Sequence, residues 1–169
     1  LENTNPFKTL LGHAIVRDEK GEEMHKSKGN AIWFDEATEK IGADVLRWLY
    51  VTQNPEINLN FGYQVSDEVR RRFHLMLWNI YNFFITYANI DKFQRRKGAG
   101  VQSKNILDQW IMSRLNQLVK TVTGSLDNYD AYTASHAIED FVSDLSTWYL
   151  RRSRDRVGPT VTAGPDKDS

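Results

Sequence analysis

Cysteine is absent from the 169 residues, which excludes a disulfide framework and any thiolate metal site. The four histidines, His13, His25, His74 and His136, have no metal-ligand spacing, so no metal site is expected. An excess of either charge is missing too: 22 Lys+Arg balance 22 Asp+Glu, so no overall positive field draws a polyanion in, and any nucleic-acid contact has to be local. No apolar run reaches the ~20 residues that span a bilayer, and no charged start leads into an apolar segment, which argues against a membrane anchor or signal peptide and for a cytoplasmic chain. The chain begins at Leu1 rather than Met and ends in a polar stretch, which suggests a piece of something longer.

What is present is enough for a core: 40% of the residues are hydrophobic and 26% charged, the balance of a globular chain. The first third mixes short elements. Residues 13–17 read as a strand, 18–21 as a turn and 22–30 as a polar loop containing Gly29. A helix over 35–41 stops at Gly42, a residue suited to a left-handed position, a second helix follows over 43–51, and 57–61 reads as a short strand.

From Ser66 the pattern changes to long helices. Ser66 resembles a cap, followed by Asp67 and Glu68, and Val69, Phe73, Met76, Ile80, Phe84 and Tyr87 recur three or four apart. Leu75, Leu77, Trp78, Phe83 and Ile85 broaden this stripe, so the helix is expected to be central and buried on most sides, with the aromatic residues in the core. After a basic connector with Lys92, Arg95, Arg96 and Lys97, a second helix carries Leu107, Ile111, Leu115, Leu118, Val122 and Leu126, with Asn105 as its cap and Asp108 three residues later. A third carries Ala134, Ile138, Phe141, Leu145, Trp148 and Arg152. The expected fold is mainly α: a small mixed α/β module over 1–65, an incomplete helix bundle over 66–156, and a linker or disordered tail over 157–169, which contains Pro159 and Pro165.

Two segments carry chemistry. In the first, Lys26, Ser27, Lys28, Gly29 and Asn30 place two ammonium groups and a hydroxyl beside a glycine. Lysines so placed can oppose charge developing on a phosphoryl group, Ser27 can add a directed hydrogen bond, and Gly29 lets the backbone bend. A solvated charged loop has the same composition. In the second, Trp148, Tyr149, Arg151, Arg152, Arg154 and Arg156 close the third helix with four guanidinium groups and two aromatic rings, a set able to hold phosphates and stack on an unpaired base. The same cations also complement the dipole of a helix C-terminus, and Arg151 can pair with Asp155 one turn on.

Met24, Lys26, Ser27, Lys28, Gly29 and Asn30 resemble the second signature of class I aminoacyl-tRNA synthetases, Lys-Met-Ser-Lys-Ser continued by Lys-Gly-Asn. Gly42, Ala43, Asp44, Leu46 and Arg47 fall where that family has a Gly-Ala-Asp-x-Leu-Arg helix. The arginine run resembles the Trp-Tyr-x-Arg-Arg-x-Arg-x-Arg pattern of isoleucyl-tRNA synthetases, and residues 107–111 and 113–116 resemble a helix start of their anticodon-binding domain. Departures are Glu23 for the signature's first lysine, His25 for its first serine, Trp33-Phe34 for a common Asp-Pro, and Val157-Gly158 for a Phe-Trp continuation. His25 has two roles open to it, bonding to phosphate or adenine, or orienting the loop.

The resemblance covers about residues 10 to 156. It implies a ligase that uses ATP with magnesium to activate isoleucine and transfers it to an isoleucine tRNA, with Lys26 stabilising the reacting α-phosphate and departing pyrophosphate. Residues 26–30 would bind ATP and the arginine run would bind tRNA. The chain has no His-x-Gly-His signature, nucleotide fold, amino-acid pocket or editing domain, so by itself it is expected to be inactive, with the missing catalytic and editing domains as its partners. A valyl- or leucyl-type enzyme and a helical interaction module without an RNA role are the alternatives.

Overall fold

The computed structural model describes residues 5–93 and 103–158. The connector's Arg95, Arg96 and Lys97, and the expected tail from residue 159 on, lie outside the described residues. The chain forms two compact units, Leu1–Asp67 and Glu68–Ser169.

The first unit is built on a minimal sheet. Strand β1 (Val16–Arg17) pairs in parallel with β2 (Leu59–Asn60), with Val16 opposite Leu59 and Arg17 opposite Asn60. The turn expected over 18–21 forms, with the Asp18 carboxylate accepting from the Lys20 and Glu22 amides, and is closed by a single antiparallel bridge between Arg17 and Glu23. Both strands are shorter than the sequence pattern suggests. Helices α1 (Phe34–Lys40) and α2 (Ala43–Val51) meet at Gly42, whose φ of 93° is a conformation that side-chain-bearing residues avoid. Ala37, Val45, Leu46 and Leu49 from these helices, with Ile41 at the end of α1 and with Leu59 and Phe61, are buried and form the unit's core.

Helix α3 (Tyr63–Val69) starts earlier than the cap-like Ser66 suggests. Ser66 is 1% exposed, inside the helix, and its hydroxyl donates back to the Gly62 carbonyl. The orphan amides of the first turn are satisfied from a distance: the Glu19 carboxylate, on the turn after β1, accepts from Gln64 N and Val65 N. At the same end, Tyr63 donates to Glu36 at 2.7 Å, and Glu36 also takes the Lys40 ammonium at 2.8 Å. These bonds, Lys40's first and then Tyr63's, hold the Glu36 carboxyl below its ordinary range.

In the second unit a π-helical stretch, Arg70–Leu75, runs into α4 (Met76–Ile90). Helix α5 (Ile106–Asp127) is capped by Asn105, whose side chain accepts from Leu107 N, as expected. Helix α6 (Ala131–Ser143) is capped by Asp130, then passes through a second π-helical stretch, Asp144–Leu150, into α7 (Arg151–Val157). α5 and α6 form the main packed pair, and the second π-helical stretch reaches both α4 and α5. Arg72 pairs with Glu139 at 3.0 Å and Arg114 with Asp144 at 2.7 Å, tying neighbouring helices near the surface. The expected burial of the first long helix does not hold. Phe73 of the π-helical stretch is buried, but no residue of α4 is, and Trp78, Tyr81 and Phe84 are 63%, 53% and 55% exposed, because the described helices leave much of α4 uncovered.

Among the described residues no helix is long and apolar enough to cross a membrane.

Candidate functional site

In the first unit, the loop after the Arg17–Glu23 bridge becomes a single 3-10 turn at Lys26–Lys28, ended by Gly29 in the left-handed region at φ 70°. A Cβ at Gly29 would meet no atom within 4 Å, so this glycine is required by its backbone conformation and not by crowding. The loop is closed at its base by Asn30. Its amide nitrogen donates to Asp18 Oδ2 at 2.8 Å and to the Glu23 carbonyl at 3.1 Å, while its carbonyl oxygen accepts from His25 N at 2.9 Å. These bonds use both amide protons, so Asn30 shapes the loop instead of reaching out of it. Its bond is also the leading cause that lowers the Asp18 carboxyl below its usual range, followed by the bond from Glu22.

The loop side chains then divide. Lys26, Ser27 and Lys28 are exposed. Glu23, the departure that would repel phosphate, turns to His25, with 3.5 Å between carboxylate and imidazole. The Lys26 ammonium stands 4.5 Å from the centre of the Trp33 ring, a contact that sequence reading missed, although Trp33 had been singled out as a departure. Two like charges two residues apart on a turn, with Glu23 drawn off, leave a local positive field open to an anion.

The arginine run of the second unit is split by its surroundings. Arg156 extends to Asp108 on α5, whose carboxylate also accepts from Tyr149 Oη at 2.8 Å and Ser103 Oγ at 2.6 Å. The Asp108 and Arg156 side chains are 8% and 16% exposed. Burial pushes the Asp108 carboxyl up, but the bonds from Arg156, Ser103 and Tyr149 outweigh it and hold it below the usual range. Burial, then the bond to Asp108, pushes the Tyr149 hydroxyl up. Asp108, three residues after the Asn105 cap, therefore pairs with Arg156, and the Asn105 amide bonds to Ser103 Oγ. Of the remaining members, Arg152 lies over the Trp148 ring, 3.9 Å from its centre.

Arg151 and Arg154 are exposed, and among the described residues neither pairs with a carboxylate, so the expected Arg151–Asp155 pair does not form. Both line a cleft with Asn79, Ile80 and Phe83 of α4 and with Ser146 and Thr147. The cleft offers two guanidinium groups, an aromatic ring, hydroxyls and an amide, a set suited to a nucleotide. α4's contribution was not legible as such, because Phe83 belongs to the apolar stripe. Among the described residues no group of three or more His, Cys, Asp or Glu side chains stands close enough to hold a metal ion.

Two protein families match. Residues 1–61 match "tRNA synthetases class I (I, L, M and V)" and residues 108–161 match "Anticodon-binding domain of tRNA ligase". Among curated proteins the chain is 50% identical over 147 residues to an isoleucine–tRNA ligase of Dehalococcoides mccartyi, covering 86% of this chain and 14% of that protein. It is 41% identical over 152 residues to the isoleucine–tRNA ligase of Thermus thermophilus, covering 89% of this chain and 15% of that one. The chain thus spans about one seventh of the length of these relatives. Among solved structures, a ternary complex of Agrobacterium radiobacter LeuRS with tRNA and LeuAMS superposes over 92% of this chain and 19% of that one, with a TM-score of 0.62 at 19% identity, which establishes likeness of fold.

Proposed function

The chain belongs to the class I aminoacyl-tRNA synthetases and, within them, to the isoleucine–tRNA ligases, and on that premise we propose that it supplies such a ligase with its phosphate-stabilising loop and part of its tRNA-gripping helices. Residues 1–65 are read as the end of the catalytic domain with a connecting module, and 66–156 as part of the anticodon-binding domain. The observation that carries the reading is the 3-10 turn at Lys26–Lys28, held at its base by Asn30 with both lysines exposed.

In the proposed reaction the isoleucine carboxylate attacks the α-phosphorus of ATP, pyrophosphate leaves with the bonding electron pair, and the aminoacyl group later passes to the terminal ribose of tRNA. In this reading Lys26 opposes the negative charge that grows on the phosphate oxygens, with Lys28 and the Ser27 hydroxyl beside it. Asn30 and Gly29 serve by shaping the turn. Magnesium would travel with the ATP phosphates, since the loop itself has no cluster of carboxylates to hold it. On the helical side, Arg151 and Arg154 with Trp148 and Arg152 are the proposed tRNA contacts, while Arg156 and Tyr149 act as a strut through Asp108. The catalytic and editing domains of the longer ligase are the expected neighbours, the isoleucine tRNA the expected partner, and the cytoplasm the expected setting.

The test uses the full-length ligase that carries this chain. Lys26→Met should lower isoleucine-dependent ATP–pyrophosphate exchange by roughly a hundredfold or more while leaving tRNA binding intact. Replacing Arg151 and Arg154 together by Ala should weaken binding of the isoleucine tRNA and reduce the salt dependence by up to about two phosphate contacts, while leaving exchange unchanged. An unaltered exchange rate in Lys26→Met refutes the loop reading; tRNA binding untouched by the double change refutes the helical one.

A further inference from the structure

We propose that Trp33 is a resting place for the Lys26 ammonium, so that the indole face and an incoming phosphate compete for one cation. This deepens the reading of Lys26 as the phosphate-binding lysine and rests on it. Trp33 stands immediately before α1, where its carbonyl accepts from Ala37 N at 2.9 Å, so its backbone is fixed by the helix start. Trp33 is 58% exposed, and among the described residues its ring stacks on no other aromatic ring. The contact it does make is with Lys26, 4.5 Å from ammonium to ring centre.

The other side of the contact points the same way. Among the described residues the Lys26 ammonium has no carboxylate within ion-pair distance, because the nearby Glu23 is turned to His25 at 3.5 Å. The negative face of the indole is therefore its principal attraction. A ring face attracts a cation without a formal charge, weakly enough at an exposed position to shift an equilibrium by about two- to fivefold. A phosphate oxygen makes a charge-assisted hydrogen bond, which is stronger. Phosphate should therefore win, but at an apparent affinity reduced by the fraction of time Lys26 spends on the ring. In return the long side chain is kept near one orientation before ATP arrives. Trp33 is thus a positioning residue, acting through Lys26.

The experiment measures ATP binding and exchange kinetics in the full-length ligase. Trp33→Leu should tighten ATP binding by about two- to fivefold with little change in kcat, and Trp33→Phe, which keeps a weaker face, should fall between Leu and wild type. In a Lys26→Met background, Trp33→Leu should have no effect. Weaker or unchanged ATP binding in Trp33→Leu, or the same effect with and without Lys26, overturns the proposal. If Lys26→Met abolishes exchange while Trp33→Leu changes nothing, this inference alone fails; if Lys26→Met leaves exchange intact, the function reading fails with it.

Discussion

At residues 26–28 two ammonium groups stand on a turn whose base is tied by a neutral amide, whereas at residues 151–156 four guanidinium groups share a helix end with a buried carboxylate. In the loop, structure and charge are handled by different residues. Asn30 holds the shape and the lysines stay available, one on an indole face and one in solvent. At the helix end one residue type does both jobs. Arg156 is drawn into the Asp108 cluster, Arg152 lies on Trp148, and Arg151 and Arg154 face the cleft with Phe83. A run of like residues in sequence is thus not a run of like functions, and the sorting depends on where a partner carboxylate happens to lie.

The sharpest way to break this comparison is to remove the strut. Arg156→Ala leaves Asp108 buried without its cation and should lower the chain's unfolding free energy by about 3–5 kcal/mol, whereas Arg151→Ala and Arg154→Ala should each stay within about 0.5 kcal/mol of wild type. Urea denaturation followed by circular dichroism reads the difference, and equal losses at all three positions would erase the division drawn here. The same pair fixes a pH dependence. Because the Asp108 carboxyl is lowered in the folded state, its stabilising contribution is complete above the ordinary carboxylate range and disappears as pH falls through the lowered value. Asp108→Asn should flatten that acid limb.

A smaller effect is expected in the loop. Asn30→Ala removes three hydrogen bonds at the surface and should cost about 1–2 kcal/mol, felt locally, so that amide exchange at His25 and Lys28 quickens while α5 and α6 keep their protection. Global unfolding would contradict the separation of shape and charge. Smallest is Glu19→Ala, which uncaps α3 and should cost about 1 kcal/mol, detectable as fraying at Gln64 and Val65 in hydrogen exchange.

Much of this was readable from residues alone where the signal is local. Gly42 marked its turn, the 43–51 helix was placed to the residue, Asn105 capped α5, and the loop with Gly29 stood where expected. What escaped were effects that travel across the chain. The α3 cap comes from Glu19, more than 40 residues upstream, and no spacing rule links a carboxylate in a turn to a helix start so far away. Asp108 satisfied a capping pattern but was claimed by Arg156, 48 residues on, because a buried guanidinium is a stronger partner than a helix amide. The aromatic face of α4 read as core because periodicity reports which residues share a face, not whether anything covers it.

The π-helical stretch Asp144–Leu150 also sets the angular phase of everything after it. A π-turn accommodates one residue more than an α-turn, so the helix emerges with its side chains indexed differently about the axis than an uninterrupted helix would have them. Winding these seven residues as regular α-helix, with none deleted, would rotate Arg151 to Arg156 by about 100° as a block. The arginine spacing would remain intact in the sequence while Arg156 swung off Asp108 and the cleft lost its two cations. The motif's meaning therefore resides partly in seven residues that precede all four of its arginines and carry no charge of their own beyond Asp144.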